Sequence, residues 1–229
     1  MVALGERWGE TGLDEKMLIE EITRRVLAAL QAEGGSRQDP RIVPIGISVR
    51  HIHVSAADLE ILYGPGHELT PLRDLYQEGE FAAKEVVALV GPRMRALENV
   101  RILGPMRNRT QVEVSRTDAI YLGINPPVRA SGNLAGASPI TLVGPKGTLT
   151  LSEGAIVANR HIHMNPMDAQ RFGVSDNDLV QVEVQGEKGL IFNHVQIRVK
   201  DNFRLEMHLD TDDANASGIT TGAQARILT

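Results

Sequence analysis

Between Leu13 and Leu30 the apolar residues Leu18, Ile22, Val26 and Leu30 recur every four positions, with Ile19 beside them. That spacing predicts an amphipathic helix with a narrow apolar stripe. Thr11 and Asp14 supply a capping box at its start, and Gly34 and Gly35 end it. Residues 34–40, Gly-Gly-Ser-Arg-Gln-Asp-Pro, then read as a linker, because nothing apolar anchors them. Residues 1–40 are therefore expected to be an appendage. Its helix either packs on its own domain or serves as a detachable docking peptide.

After Pro40 the pattern changes to short β-branched runs broken by Gly and Pro. Val86–Val90, Ile140–Val143 and Leu179–Val184 are examples. The connections are too short for β-α-β crossovers, so a mainly β fold of barrels is expected rather than a doubly wound sheet.

The chain also repeats itself. Arg50-His-Ile-His53 leads into Ser55, Asp58 and Gly64, and Arg160-His-Ile-His163 leads into Asn165, Asp168 and Gly173. Each reads as a strand, an N-cap, an acid three residues later and a short helix closed by Gly. Further on, Val100-Arg-Ile102 aligns with Val195-Gln-Ile197, and Glu113 and His208 each precede a glycine, Gly123 or Gly218, by the same interval. The expected organisation is an internal duplication: an appendage at 1–40, a first β-barrel at 41–130 and a second at 131–229.

Composition narrows the chemistry. With 229 residues the chain can bury two cores of ordinary size. A net charge of −5 with one Trp, three Tyr and four Phe argues against nucleic acid, which favours basic surfaces and stacking rings. No apolar run approaches the roughly 20 residues of a membrane span, and no leader precedes a cleavage site, so a soluble protein in a reducing cytosol is expected. The absence of Cys removes thiol nucleophiles and thiolate metal sites. Any metal must rest on His, Asp and Glu.

Side chains two apart on a strand share a face, so His51 and His53 can reach one ion while Ile52 packs behind them. His161 and His163 can do the same around Ile162. The repeat then supplies a third ligand to each pair, Glu113 to the first and His208 to the second. Three protein ligands with one open position are the pattern of catalytic zinc, although cobalt, nickel, iron and manganese accept the same donors. Arg107 and Arg109 are either an anion clamp or solvated loop residues. His67 and His194 lack a repeated partner, and Gly144–Gly147 reads as a turn. No serine elbow and no dinucleotide fingerprint is present.

The stretches ISVRHIHVS, GPMRNRTQVEVSRTDAIYLGI, RASGNLAGASPITLVGPKGTLTL, ANRHIHM and LEMHLDTDDANA resemble the zinc-dependent phosphate propanoyltransferases, the PduL-type phosphotransacylases of bacterial microcompartments. The resemblance spans about residues 43–220. It implies two β-barrel halves and the exchange of coenzyme A for phosphate on a short acyl group, propanoyl or acetyl. It also implies a dinuclear site with two zinc ions per chain: His51, His53 and Glu113 on one, His161, His163 and His208 on the other, and Arg107 as the phosphate-binding residue. In such proteins an N-terminal amphipathic extension packages the enzyme within a shell, which would assign residues 13–33 to shell proteins and the enzyme to the microcompartment lumen; members without the extension are cytoplasmic. Whether the chain forms a homo-oligomer stays open. Two rival readings of the same ligands are a dinuclear metallohydrolase and a non-catalytic scaffold joined by zinc.

Overall fold

The computed structural model describes residues 19–25 and 41–228. The chain divides into two compact units, residues 1–40 and 41–229. In the first, residues 19–25 are helical (α1), with Ile19 and Ile22 exposed. The expected cap at Thr11 and Asp14, the remainder of the apolar stripe and the linker at 34–40 lie outside the described residues. No helix among the described residues is long and apolar enough to cross a membrane.

The second unit is mainly β. Its first half contains β1 (Ile42–Ser48), β2 (His51–His53), α2 (Ala56–Tyr63), β3 (Pro71–Asp74), β4 (Phe81–Val90), β5 (Ala96–Gly104), β6 (Gln111–Glu113), α3 (Arg116–Leu122) and β7 (Val128–Arg129). It continues with β8 (Ser138–Val143), β9 (Thr148–Ala158), β10 (His161–Met164), α4 (Pro166–Phe172), β11 (Leu179–Val184), β12 (Leu190–Val199), β13 (Glu206–Asp210), α5 (Thr211–Ser217) and β14 (Gln224–Leu228).

Two six-stranded barrels result. One closes in the order β1-β13-β10-β12-β11-β14. The other runs β4-β5-β2-β6-β9-β8, with β8 returning to β4 and with β3 and β7 on its flanks. The duplication is visible in the ladders. In both barrels the Arg-His-Ile-His strand lies parallel to one neighbour, β5 or β12, and antiparallel to the other, β6 or β13.

Barrel membership does not follow the division at 130/131 expected from the repeat. Strands β8 and β9 belong with His51 and His53, and β1 belongs with His161 and His163. The first barrel thus occupies one uninterrupted stretch, whereas the second is closed by a strand from the other end of the unit, paired parallel to β13 through Ile45↔Met207 and Ile47↔Leu209. The repeat offers no sign of this, because a parallel partner some 160 residues away leaves no local signature.

Each barrel encloses its own core, one around Ile52, Leu89, Ile102 and Leu142, the other around Ile45, Ile162, Ile197 and Leu209. The isoleucines of the two motifs are fully buried. Truncating either leaves a cavity in a closed barrel that cannot collapse around it. Ile52→Ala and Ile162→Ala should each lower the unfolding free energy of the metal-free protein by about 2–5 kcal/mol, measured by denaturant titration.

Candidate metal centre

Four times the chain runs from a ligand-bearing strand into a capped helix. Ser55, Ser115, Asn165 and Asp210 are the caps, and their side chains accept from the backbone N–H of Asp58, Asp118, Asp168 and Asp213. Gly64, Gly123, Gly173 and Gly218 close the helices at positive φ, which lacks a steric penalty only for glycine. Each of these strands is thereby stopped within a few residues of its candidate ligand, His53, Glu113, His163 or His208.

An arginine-aspartate pair ties each motif to the helix that follows its third ligand. Arg50 donates from Nε and Nη2 to the two carboxylate oxygens of Asp118, at 2.9 and 2.8 Å. Arg160 reaches Asp213 only at 3.7 Å. Burial raises the Asp213 carboxyl to about 6, against the lowering effect of Arg160.

The first ligand set has His51 opposite Glu113 in the β2–β6 ladder, with His53 on the same face. Nε2 of His51 lies 3.5 Å from Glu113 Oε2, and Nε2 of His53 lies 3.8 Å from Oε1. The second set has His161 opposite His208 in the β10–β13 ladder. Its three rings stand 4.6 to 4.8 Å apart, and Phe203 stacks on His163 at 3.9 Å. Within each set one donor atom per residue lies within 4.8 Å of the others. The leading histidines are oriented identically: His51 Nδ1 is 2.8 Å from the carbonyl of Val49, and His161 Nδ1 is 2.8 Å from that of Asn159. A carbonyl that holds Nδ1–H leaves Nε2 as the free donor atom.

Electrostatics keeps these groups in their ligating forms. Burial, reinforced by neighbouring cations, lowers His53 and His161 to about 3 and pushes His163 well down, so these imidazoles are neutral at neutral pH. Burial alone would raise Glu113, but the facing imidazoles and the Ser131 hydroxyl hold it below the usual carboxylate range. Among the described residues, buried Nδ1 of His53, both nitrogens of His163 and Nε2 of His208 lack hydrogen-bond partners. An orphaned buried polar atom costs about 1–3 kcal/mol. Imidazoles and a carboxylate, gathered with these four buried nitrogens left without partners, fit divalent metal ions at both sets.

Both sets face one cavity of about 590 Å³, ample for a small-molecule substrate. Arg107 also lines it, donating to Ser131 Oγ at 3.0 Å and standing 3.8 Å from Glu80. Burial pushes this guanidinium below its ordinary value, while Glu113 and Glu80 pull it up. Ser131 accepts in turn from Gln111 at 2.9 Å, and Gln111 donates to Glu113 at 2.6 Å. A short chain of hydrogen bonds therefore joins the arginine to a ligand carboxylate. Arg109 is exposed, outside the cavity lining, and His194 is likewise exposed. His67 pairs with Glu85 at 3.1 Å, away from the site.

Sequence reasoning missed Arg198, Ser131, Gln111, Gln77 and Glu206. Arg198 lines the cavity and sits beside His163 in the β10–β12 ladder. In the repeat it corresponds to Leu103, so the duplication gave no reason to select it. The available signal was only its place with Gln196 on the polar positions of the alternating stretch Val195–Val199.

A family model described as phosphate propanoyltransferase matches residues 44–220. The chain belongs to the phosphate propanoyltransferase family. Curated relatives bearing that name include one from Lachnoclostridium phytofermentans, 54% identical over 210 residues, which cover 92% of this chain and 98% of the relative. One from Thermotoga maritima is 54% identical over 187 residues, 81% of this chain and 88% of its own. A third, from Salmonella typhimurium, is 51% identical over 205 residues, 89% and 93% of the two chains. Membership of this family makes the protein an enzyme of the acyltransferase class with phosphate as a substrate.

The two arginine-aspartate pairs should respond in opposite directions. Asp118→Asn removes a bidentate pair and should cost about 1–3 kcal/mol at neutral pH. At Asp213 a folded-state pKa raised from 3.8 to about 6 means that burying the charge opposes folding, fully above the higher value and not at all below the lower. Asp213→Asn should therefore stabilise the protein relative to its parent by an increment that grows as pH rises through that window. Unfolding curves recorded across it would check both.

Proposed function

We propose that the protein reversibly converts a short acyl-CoA, propanoyl-CoA or acetyl-CoA, and phosphate into acyl phosphate and coenzyme A by direct transfer at a site holding two zinc ions. The observation that carries this reading is the convergence of two three-donor sets on one cavity that Arg107 and Arg198 line among its five arginines. His51, His53 and Glu113 would hold one ion, and His161, His163 and His208 the other. A bound divalent ion would supply Lewis acidity, which stabilises a thiolate at neutral pH and polarises acyl and phosphoryl oxygens.

The chain's own residues account for the rest. Arg107 is the phosphate-binding residue, held by Ser131, and its planar fork matches two phosphate oxygens. Arg198, beside His163, adds a further positive charge to the cavity lining. Together they stabilise the charge that builds on departing phosphate as the coenzyme A sulfur bonds to the carbonyl carbon and the carbon–oxygen bond to phosphate breaks. The absence of Cys and of an activated serine supports transfer without an acyl-enzyme. We also propose that residues 13–33 dock the enzyme to microcompartment shell proteins. Ile19 and Ile22, both exposed, would belong to the docking face.

Alanine at His51, His53, His161 or His163 should abolish thioester formation from acyl phosphate and coenzyme A, and metal analysis should find two ions per chain in the parent and fewer in each variant. With labelled acyl phosphate and free phosphate but no coenzyme A, no label should exchange. Exchange would reveal a covalent intermediate, and hydrolysis in place of thioester formation would favour the metallohydrolase.

Removal of residues 1–33 should leave the turnover number unchanged and abolish co-sedimentation with shells. Lost activity would assign the segment to the catalytic unit instead.

A further inference from the structure

The two halves differ most at the strand that carries the third ligand. In β6 the sequence is Gln111-Val-Glu113, and in β13 it is Glu206-Met-His208. The ladders make these positions equivalent: His53 is opposite Gln111 and His163 is opposite Glu206. Each half thus has one carboxylate on this strand face, but at exchanged positions. In the first half the carboxylate is the ligand and a neutral amide stands beside it. In the second the ligand is a neutral imidazole and the carboxylate is its neighbour.

Glu206 is held in place by groups from both barrels. Its Oε2 accepts from Gln77 Nε2 at 3.3 Å; Gln77 lies in the β3–β4 turn of the other barrel and is almost fully buried. The same amide is fixed in both directions by the backbone of Arg204, donating to its carbonyl at 3.0 Å and accepting from its N–H at 3.1 Å. On the opposite side Gly46 of β1 leaves the space that the carboxylate fills, since a Cβ there would lie 2.5 Å from Glu206 Oε1. The result is a carboxylate oxygen 3.1 Å from His208 Nε2, in an arrangement that leaves this nitrogen without a hydrogen-bond partner. Glu206 also lines the shared cavity. It stands outside the compact group formed by His161, His163 and His208.

We propose that Glu206 is the charge partner of the second metal, a positioning residue that supplies from beside His208 the negative charge that Glu113 supplies to the first metal as a ligand. A divalent ion on three neutral imidazoles keeps its whole charge, whereas one on two imidazoles and a carboxylate keeps half. Among ligands as buried as His53, Glu113 and His163 such an imbalance is unfavourable, because Coulomb energy scales inversely with the local dielectric. With Glu206 beside the second ion, both halves carry the same net charge. Gln77 and the hollow at Gly46 hold the carboxylate there before any metal arrives.

The inference rests on the two-metal reading of the site, and the test separates the two. Metal-free protein is titrated with zinc against a chromophoric chelator, using the parent, Glu206→Gln and the charge-retaining Glu206→Asp. The variants are also made with His161→Ala, which leaves only the first set intact, and with His51→Ala, which leaves only the second. Glu206→Gln should weaken the second ion about 10–100-fold, as loss of an outer partner does at other metal sites, and should leave the first unchanged. Glu206→Asp should restore part of the loss. The thermal unfolding of metal-free Glu206→Gln should match the parent's, because a glutamine carbonyl still accepts from Gln77. Equal second-site affinities in the parent and Glu206→Gln would overturn the inference while leaving the two-metal reading standing. A lowered unfolding temperature without metal would overturn it too, by making Glu206 a brace of the fold. Fewer than two ions in the parent would overturn both.

Discussion

The site depends on the two-residue alternation of a short strand buried on both faces. In each Arg-His-Ile-His motif the isoleucine enters the core of its own barrel and the flanking histidines point the other way, into the shared cavity. The burial that stabilises the barrel also desolvates His53, His161 and His163, which keeps those imidazoles neutral, and it leaves ring nitrogens of His53 and His163 without hydrogen-bond partners. A fold that left these strands at a solvated edge would keep the histidines but lose the unpaired nitrogens that suit a metal ion. The core and the ligand set are therefore two faces of one packing decision.

The way the chain exchanges strands between barrels adds a second constraint. It passes from β1 in one barrel to β2 in the other through Val49 and Arg50, and returns from β9 to β10 through Asn159 and Arg160. These crossings serve the site directly. The carbonyls of Val49 and Asn159 hold Nδ1 of His51 and His161, and Arg50 and Arg160 reach the helices beyond the third ligands. A bridge from Asp212 to the backbone N–H of Thr117 joins the two helices as well. Because the crossings, the ligand strands and the anchoring helices share residues, the two ligand sets cannot move far apart without unpairing a barrel.

The duplication is closely kept in its backbone and relaxed in its polar side chains. Matching ladders, caps and closing glycines place both ligand sets alike. Around that frame Arg107, Ser131 and Gln111 form a hydrogen-bonded series on one side, and Gln77, Glu206 and Arg198 face the cavity from the other. One repeated scaffold therefore presents two unlike environments to the shared cavity.

The sequence by itself determined the mainly β class, the duplication and the grouping of the two candidate triplets, His51, His53 and Glu113 and His161, His163 and His208. Strand alternation fixes which side chains share a face, and a repeated motif aligns Glu113 with His208 without coordinates. Helix α1 was legible for the same kind of reason, since its apolar period is local. Only the tertiary structure decided that β1 closes the second barrel and that β8 and β9 complete the first, because pairing with strands distant in the chain, parallel for β1 and β9 and antiparallel for β8 with β4, leaves no periodic trace. It also decided which arginines line the cavity. Arg107 and Arg109 look alike in sequence, and Arg198 has no counterpart in the repeat, yet Arg107 and Arg198 line the cavity and Arg109 faces solvent. Charge selection of that kind depends on which strand ends meet across a barrel interface, a geometry that no window of sequence contains.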